Sequence, residues 1–234
     1  MQTFLFRLAP VGLFPLFFAP ATHGNVVTDA DEFRDGLLPS YYEEDFSDFT
    51  EGYPEPQSGQ LTFSGAEFSF DAVTVQNDDE ITPADSLYFI EGDGYSGTAL
   101  SLVENTDWLR LTAFNAETRS VGGTFFLTDD PGDLIEGTFT VTVTFSDDTT
   151  LTETLQSPAI GGELPFVGFH ADEGTTITQV DISSEVLDAF VSAGDVIVGQ
   201  PIPEPATVVL WSGLAVFATA VWIRRQGRRM NYEG

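Results

Sequence analysis

The stretch Thr138-Phe139-Thr140-Val141-Thr142-Val143-Thr144-Phe145-Ser146 decides the fold class of this chain, because it alternates polar and apolar residues throughout. A β-strand points successive side chains to opposite faces, so the four apolar residues should face a core and the threonines should face water. The residues Asp147-Asp148-Thr149-Thr150 have turn chemistry, and Leu151-Thr152-Glu153-Thr154-Leu155 runs back along the first strand. These segments predict a β-hairpin with one buried and one solvated face.

Short runs of the same kind continue through the chain from residue 61 onward. They are rich in β-branched and aromatic residues, and clusters of Gly, Asp, Asn and Pro separate them. The predicted strands outside the hairpin are 61–64, 67–76, 87–91, 99–103, 108–114, 124–128, 164–170, 176–182 and 196–199. Only two short segments, 32–38 and 184–191, favour a helix. This pattern predicts an all-β fold, a two-sheet β-sandwich of jelly-roll type.

The N-terminal residues 1–24 have the layout of a secretory signal peptide. A positive charge at Arg7 precedes an apolar run from 8 to 19, and small residues follow up to Gly24. We expect cleavage near Ala21 or Gly24. A retained N-terminal anchor is the alternative, although three prolines in this segment disfavour a persistent helix.

The C-terminal residues 201–234 form a tail of three parts. The sequence Ile202-Pro203-Glu204-Pro205-Ala206-Thr207 comes first, an uncharged stretch over 206–223 follows, and a basic end closes the tail. A helix over that stretch would rise roughly 27 Å, close to the ~30 Å of a bilayer core. The basic end should stay in the cytoplasm and stop transfer through the membrane. Its arginines are Arg224, Arg225, Arg228 and Arg229.

This order of parts resembles the PEP-CTERM sorting signal of Gram-negative bacteria, which an exosortase recognises. The resemblance covers about the last thirty residues and implies that Pro203, Glu204 and Pro205 form the sorting motif. It implies an inner-membrane precursor that is cleaved near Pro205 and delivered to the cell surface or outside the cell. The implied partners are the exosortase, the secretion machinery and exopolysaccharide. Exported bodies of such proteins are often β-sandwiches, and 121–126, 138–155 and 166–169 resemble them in pattern.

The exported body is strongly acidic. Residues 25–203 contain 35 acidic residues and only the arginines Arg34, Arg110 and Arg119, so their formal charge is about −32. Such a body repels nucleic acid and anionic lipid, which excludes both as partners. The acid either keeps the protein soluble outside the cell or binds cations. We expect an acidic, partly flexible segment over 25–60 and one sandwich domain over 61–200, held without disulfides because cysteine is absent.

Catalytic patterns are weak in this chain. The two histidines are His23, within the predicted leader, and His170, at the end of a predicted strand, so a zinc site lacks ligands. The stretch Glu43-Glu44-Asp45-Phe46-Ser47-Asp48 is the nearest approach to the acidic motif of jelly-roll glycosidases, but no strand is predicted around it. We therefore predict no enzyme and no catalytic residue, with a glycoside hydrolase as the less favoured alternative.

Two kinds of binding site stay open for the body. Acidic turns could bind calcium, which prefers carboxylate and carbonyl oxygens. The candidate ligands are Asp78, Asp79, Asp129, Asp130 and Asp133. Exposed aromatic residues could contact a glycan, and the candidates are Tyr88, Tyr95 and Trp108, unless Tyr88 and Trp108 fill the core. The prediction is an exported, non-catalytic surface or matrix protein associated with exopolysaccharide, the alternative being a glycan- or calcium-binding module.

Overall fold

A computed structural model describes residues 24–52, 59–76, 87–130 and 132–203. The predicted leader up to residue 23, the candidate ligands Asp78 and Asp79, and the tail from Glu204 onward lie outside these residues. Among the described residues, no helix is long and apolar enough to cross a membrane. The elements are β1 (Gly24–Val27), α1 (Ala30–Asp35), β2 (Tyr42–Glu44), β3 (Gln60–Ser64), β4 (Ser69–Val75), β5 (Leu87–Ile90), β6 (Ala99–Leu102), β7 (Trp108–Thr112), β8 (Ser120–Thr128), β9 (Leu134–Ile135), β10 (Gly137–Phe145), β11 (Thr150–Ser157), β12 (Phe166–Ala171), β13 (Ile177–Ser184) and β14 (Phe190–Gly199).

The strands form two antiparallel sheets, as the sequence predicted. The eight-stranded sheet has the order β1-β12-β8-β14-β6-β5, with β2 added beside β14 and β9 beside β8. The six-stranded sheet has the order β11-β10-β13-β7-β4-β3. One hydrophobic cluster draws buried residues from both sheets, which makes the described residues an all-β sandwich.

The hairpin that decided the fold class is confirmed as β10 and β11. Phe139, Val141, Val143 and Phe145 are at most 1% exposed, while the threonines between them are half-buried or exposed. The two strands pair without a register shift from Gly137 to Thr144. Because polar and apolar residues alternate with the period of the pleat, this strand fits the core in only one of its two orientations.

The helix α1 lies on the outer face of the eight-stranded sheet. Asp29 caps its N-terminus, since the carboxylate accepts a hydrogen bond from the Glu32 backbone N–H at 2.8 Å. Phe33 is fully buried beneath the helix. A Cβ on Gly168 of β12 would lie only 2.3 Å from the Phe33 ring, so this approach of helix to sheet requires glycine.

The predicted helix over 184–191 was wrong. β13 ends at Ser184, a turn follows in which Asp188 has a φ of 58°, and β14 begins at Phe190. The competing interaction is sheet pairing, because Phe190 and Val191 pair with Thr128 and Leu127 of β8. A segment of eight residues gains more from these ladder hydrogen bonds and from burial than from one isolated helical turn or two.

The structure also contains three strands, β1, β2 and β9, where the sequence predicted none. β2 pairs Glu43 and Glu44 with Ile197 and Val196 of β14. On one side of β14, the strand β6 pairs with Ser192 and Ala193 only. The later half of β14 is therefore open on the side where β6 lies. β2 fills this opening, so its position depends on tertiary structure and not on its own charged sequence.

Candidate functional site

A pocket of about 310 Å³ opens on the outer face of the eight-stranded sheet. The strands β5, β6 and β14 all contribute to it, together with the loops that follow β2, β6 and β8. Its lining combines aromatic, aliphatic, hydroxyl and carboxylate side chains. The lining residues are Glu51, Tyr88, Ile90, Ser101, Leu102, Val103, Asp129, Asp130 and Phe190.

Strand register brings the central residues of the pocket together. Tyr88 of β5 pairs with Ser101 of β6, and Ser101 pairs with Ser192 of β14. The neighbouring residues Leu87, Phe89, Leu100 and Val191 belong to the core between the sheets. Because side chains alternate along a strand, the aromatic ring and the two hydroxyls share the outer face. Phe190 has the same parity as Ser192 and therefore lies on that face as well.

A chain of three buried hydroxyls ends at Ser101, which lines the pocket and is called its floor. Ser192 Oγ donates to Ser101 Oγ at 2.9 Å and lies 3.0 Å from Thr128 Oγ1. A hydroxyl has a single hydrogen, so Ser192 must accept from Thr128 when it donates to Ser101. The direction of the chain leaves the Ser101 hydrogen without an acceptor among the described residues. Ser101 is 2% exposed and lines the pocket, so this donor is available to a ligand.

Three carboxylates surround the opening. Glu51 and Asp130 are exposed, and Asp129 is half-buried. Glu51 is held beside β5 because the next residue, Gly52, exchanges two backbone hydrogen bonds of 2.9 Å with Phe89. Asp129 Oδ1 accepts the backbone N–H of Asp133 at 2.8 Å. Among the described residues that line the pocket none is basic, so its local potential is negative.

The structure separates the three aromatic residues predicted to contact a glycan. Tyr88 lines the pocket. Tyr95 packs its ring 4.8 Å from that of Phe126, and its buried hydroxyl makes no hydrogen bond to any residue that the structure describes. Burial raises the pKa of Tyr95, and the nearby carboxylates, with Asp133 first, add to this increase. Trp108 lies on β7 of the other sheet, half-buried on its outer face.

The acidic turn predicted to bind calcium uses its carboxylates to hold backbone. Asp133 Oδ1 accepts the Asp93 backbone N–H at 3.0 Å, and Asp129 accepts that of Asp133. The described residues contain no group of three or more His, Asp or Glu side chains that could hold a metal ion. Calcium binding at Asp129, Asp130 and Asp133 therefore gains no support from this geometry.

A second polar pair, Ser120 and His170, has a distance that occurs in catalytic dyads. Ser120 Oγ lies 2.7 Å from His170 Nδ1, and the imidazole ring stacks on Phe33 with centroids 4.7 Å apart. Ser120 is fully buried, so a substrate has no access to its hydroxyl. Burial lowers the pKa of His170, and the positive charge of Arg119 lowers it further. A catalytic triad needs a carboxylate beside the histidine, and the charge found here has the opposite sign.

The acidic stretch that resembled a glycosidase motif also has a structural role. Glu43 lies in β2 and binds the guanidinium of Arg34, with 2.6 Å between Nη2 and Oε1. Glu44 accepts hydrogen bonds from the Tyr42 hydroxyl at 2.5 Å and from the Phe46 backbone N–H at 2.9 Å. These contacts engage both carboxylates within the protein.

Sequence reasoning named Tyr88 as a glycan contact and Asp129 and Asp130 as calcium ligands. It did not name Glu51, Ser101 and Phe190, which line the same pocket. Ser101 lies in an otherwise apolar strand, Ala99–Leu102, whose residues are all buried. A buried hydroxyl between apolar neighbours was the available signal. Phe190 was missed because 184–191 was interpreted as a helix.

No protein-family model and no curated protein sequence matches this chain. Solved structures show distant similarity. The CBM22-1–GH10 modules of endo-1,4-β-D-xylanase 10B from Clostridium thermocellum, complexed with xylohexaose, have a TM-score of 0.34 and 12% identity, over 65% of this chain and 28% of that one. A family 43 arabinoxylan arabinofuranohydrolase from Bacillus subtilis, in complex with cellotetraose, has a TM-score of 0.30 and 13% identity, over 62% of this chain and 40% of that one. The chain thus spans less than half of either protein. Because both TM-scores are low, the function of the site is argued from its own residues and not from these proteins.

Proposed function

We propose that this chain is an exported, non-catalytic surface protein whose β-sandwich binds a glycan in the pocket around Tyr88. The observation that carries the proposal is the composition of that pocket. An aromatic ring, a buried hydroxyl whose hydrogen has no acceptor within the described part of the chain, and three carboxylates converge on one cavity of about 310 Å³.

The chemistry of a sugar ring matches these groups. One face of a pyranose presents C–H groups, which pack against the face of an aromatic ring such as Tyr88. Its hydroxyls donate to carboxylates, and its oxygens accept from a hydroxyl such as that of Ser101. The cavity has the size of a small ligand site at the lower end of the usual range, which fits a short section of a polysaccharide.

The attachment of the last described residues to the body supports display of the body next to the predicted sorting motif. Pro201 forms a bridge with Leu37, and the Ile202 backbone N–H donates to the Gly36 carbonyl at 2.8 Å. The chain is thus attached to the body up to Ile202, and Pro203 is exposed. The predicted membrane span begins three residues later, so the precursor would present its body directly at the membrane surface.

Glycan binding is tested with the full-length chain purified in a non-ionic detergent. We expect Tyr88→Ala to abolish binding to an extracted exopolysaccharide in affinity electrophoresis, and Tyr88→Phe to retain it, because stacking needs only the ring. Trp108→Ala is the matched aromatic control on the other sheet and should bind as the unmodified chain does. Loss of binding in Trp108→Ala with retention in Tyr88→Ala would move the site to the six-stranded sheet and refute the proposal.

Export and processing are tested in cells. Replacing Pro203, Glu204 and Pro205 with alanine should leave an uncleaved precursor in the inner membrane, while the unmodified chain yields a surface form that ends near Pro205. Intact mass of the surface form distinguishes the two. Recovery of the uncleaved chain from the outside of unmodified cells would contradict the sorting proposal and leave the glycan proposal untouched.

A further inference from the structure

We infer that the sugar unit bound in this pocket carries a free, protonated amino group, as a deacetylated hexosamine does. This inference rests on the proposed glycan binding and specifies its ligand class. It excludes two other classes, uronic acids and N-acetylated sugars, as the preferred ligands.

The charge of the lining excludes an anionic sugar. Glu51, Asp129 and Asp130 bring three negative charges to one opening, and none of the described lining residues is basic. A uronic acid would add a fourth carboxylate without a counter-charge, which costs free energy in a partly desolvated cavity. A protonated amine has the opposite charge and strengthens its hydrogen bonds to carboxylates through that charge.

The hydrogen-bond donors and acceptors of the pocket complement those of an amino sugar. Ionised carboxylates only accept hydrogen bonds, and an ammonium group only donates them, with three hydrogens. The floor is instead a hydrogen-bond donor, because the Ser101 hydrogen needs an acceptor such as a sugar hydroxyl or ring oxygen. A ligand with an ammonium group toward the opening and an oxygen toward the floor satisfies both ends of the pocket.

Tyr88 adds an interaction that favours a cation. An aromatic face attracts positive charge within about 6 Å of the ring centroid. A neutral sugar gains only C–H packing on that ring, whereas a protonated hexosamine gains packing and charge attraction. An N-acetyl group removes the positive charge and enlarges the substituent, so acetylation weakens binding in both respects.

The long-range field of the body is a separate effect that the experiment must exclude. With a formal charge of about −32 over residues 25–203, the protein attracts any polycation. A matched control therefore removes one carboxylate far from the pocket. Glu173 is exposed in the turn between β12 and β13, and this turn lies toward the opposite end of β8 from Asp129. Glu173→Gln and Glu51→Gln change the net charge equally.

The experiment is calorimetric titration of the full-length chain in non-ionic detergent, at about pH 6.5, where an amine is protonated. The probes are the trisaccharide of glucosamine, that of N-acetylglucosamine, and cellotriose. We expect the glucosamine trisaccharide to bind about tenfold tighter than the other two, a difference that one additional charge pair provides. Glu51→Gln and Asp130→Asn should each weaken binding of the glucosamine trisaccharide several-fold and by a larger factor than they weaken binding of cellotriose, while Glu173→Gln leaves both unchanged.

The other possible outcomes distinguish failure of the amino-sugar inference from failure of the proposed glycan site. Equal affinity for glucosamine trisaccharide and cellotriose, lost in Tyr88→Ala, would overturn the amino-sugar inference and leave the proposed glycan binding intact. Equal weakening by Glu173→Gln and Glu51→Gln would show that the long-range field explains the preference, which also overturns the inference. Absence of binding to every probe, together with unchanged exopolysaccharide binding in Tyr88→Ala, would overturn the proposed glycan site itself.

Discussion

The guanidinium of Arg34 binds the carboxylate of Glu43, with 2.6 Å between Nη2 and Oε1, and this contact joins α1 to β2. Nε of the same guanidinium lies 3.2 and 3.3 Å from the two Glu43 oxygens, and Nη2 lies 3.4 Å from Asp195 of β14. Hydrogen bonding to Glu43 is the main cause that raises the pKa of Arg34. Three elements of an acidic surface therefore share one cation.

Removing that cation should destabilise the outer layer of the eight-stranded sheet. Arg34→Met leaves Glu43 and Asp195 close together without a positive partner, which we expect to cost about 1–3 kcal/mol, given their partial exposure. Asp31→Asn is the control, because Asp31 is 96% exposed and 3.6 Å from Arg34. Urea unfolding followed by tryptophan fluorescence measures both. A cost for Asp31→Asn equal to that for Arg34→Met would show that Glu43 and Asp195 do not depend on Arg34.

The alternation along β10 makes a sharp prediction for two adjacent residues. Val143 is fully buried in the core, and Thr142 is half-buried on the outer face, where its hydroxyl lies 2.9 Å from that of Thr152. Val143→Asp buries a charge in a core cluster whose described members include no cation, at a cost of several kcal/mol out of the ~5–15 kcal/mol typical of a domain. Thr142→Asp should cost less than about 1 kcal/mol. We expect degraded protein in the first case and a near-native melting temperature in the second, and similar tolerance of both would contradict the strand assignment.

The contact between α1 and β12 predicts an interaction between two substitutions. Gly168→Ala places a methyl group 2.3 Å from the Phe33 ring, so we expect a cost of about 1–3 kcal/mol from overpacking. In a Phe33→Leu background the aromatic ring is absent, and Gly168→Ala should cost markedly less. A double-mutant cycle from denaturant unfolding measures this coupling. Strictly additive costs would mean that the helix does not approach the sheet as closely as the structure shows.

The environment of His170 predicts a decrease in stability at mildly acidic pH. Burial and Arg119 lower its pKa in the folded state, so below about pH 6.5 the unfolded chain binds more protons at this residue than the folded one. The stability that His170 contributes is therefore fully present above the unfolded pKa and is lost as the pH falls through that value towards the folded pKa. His170→Gln, which can still hydrogen-bond to Ser120, should show a smaller change in the free energy of unfolding between about pH 7.5 and 5.5. An unchanged pH dependence in His170→Gln would assign the effect to other groups.

How much of the fold was predictable follows from how local each interaction is. The alternation over 138–146 was sufficient to identify the hairpin, because the side-chain period of a strand is a property of the segment alone. Similarly, β3 to β7 begin and end within a few residues of their predicted bounds. The strand β2 and the first half of β14 were not predicted, because both depend on partners far along the chain. In each case pairing with an open strand edge outweighed a local preference for loop or helix.

The candidate site shows the same division. The sequence alone determined that the body is acidic, that cations are scarce, and that the hairpin residues alternate between core and solvent. Only the tertiary structure decided that Tyr88, Ser101 and Ser192 share one face while Trp108 lies on the other sheet. The physical reason is that a strand's own pattern specifies two faces, whereas register with its neighbours determines which side chains on a face become adjacent. Residues about a hundred positions apart therefore form one pocket that no local pattern describes.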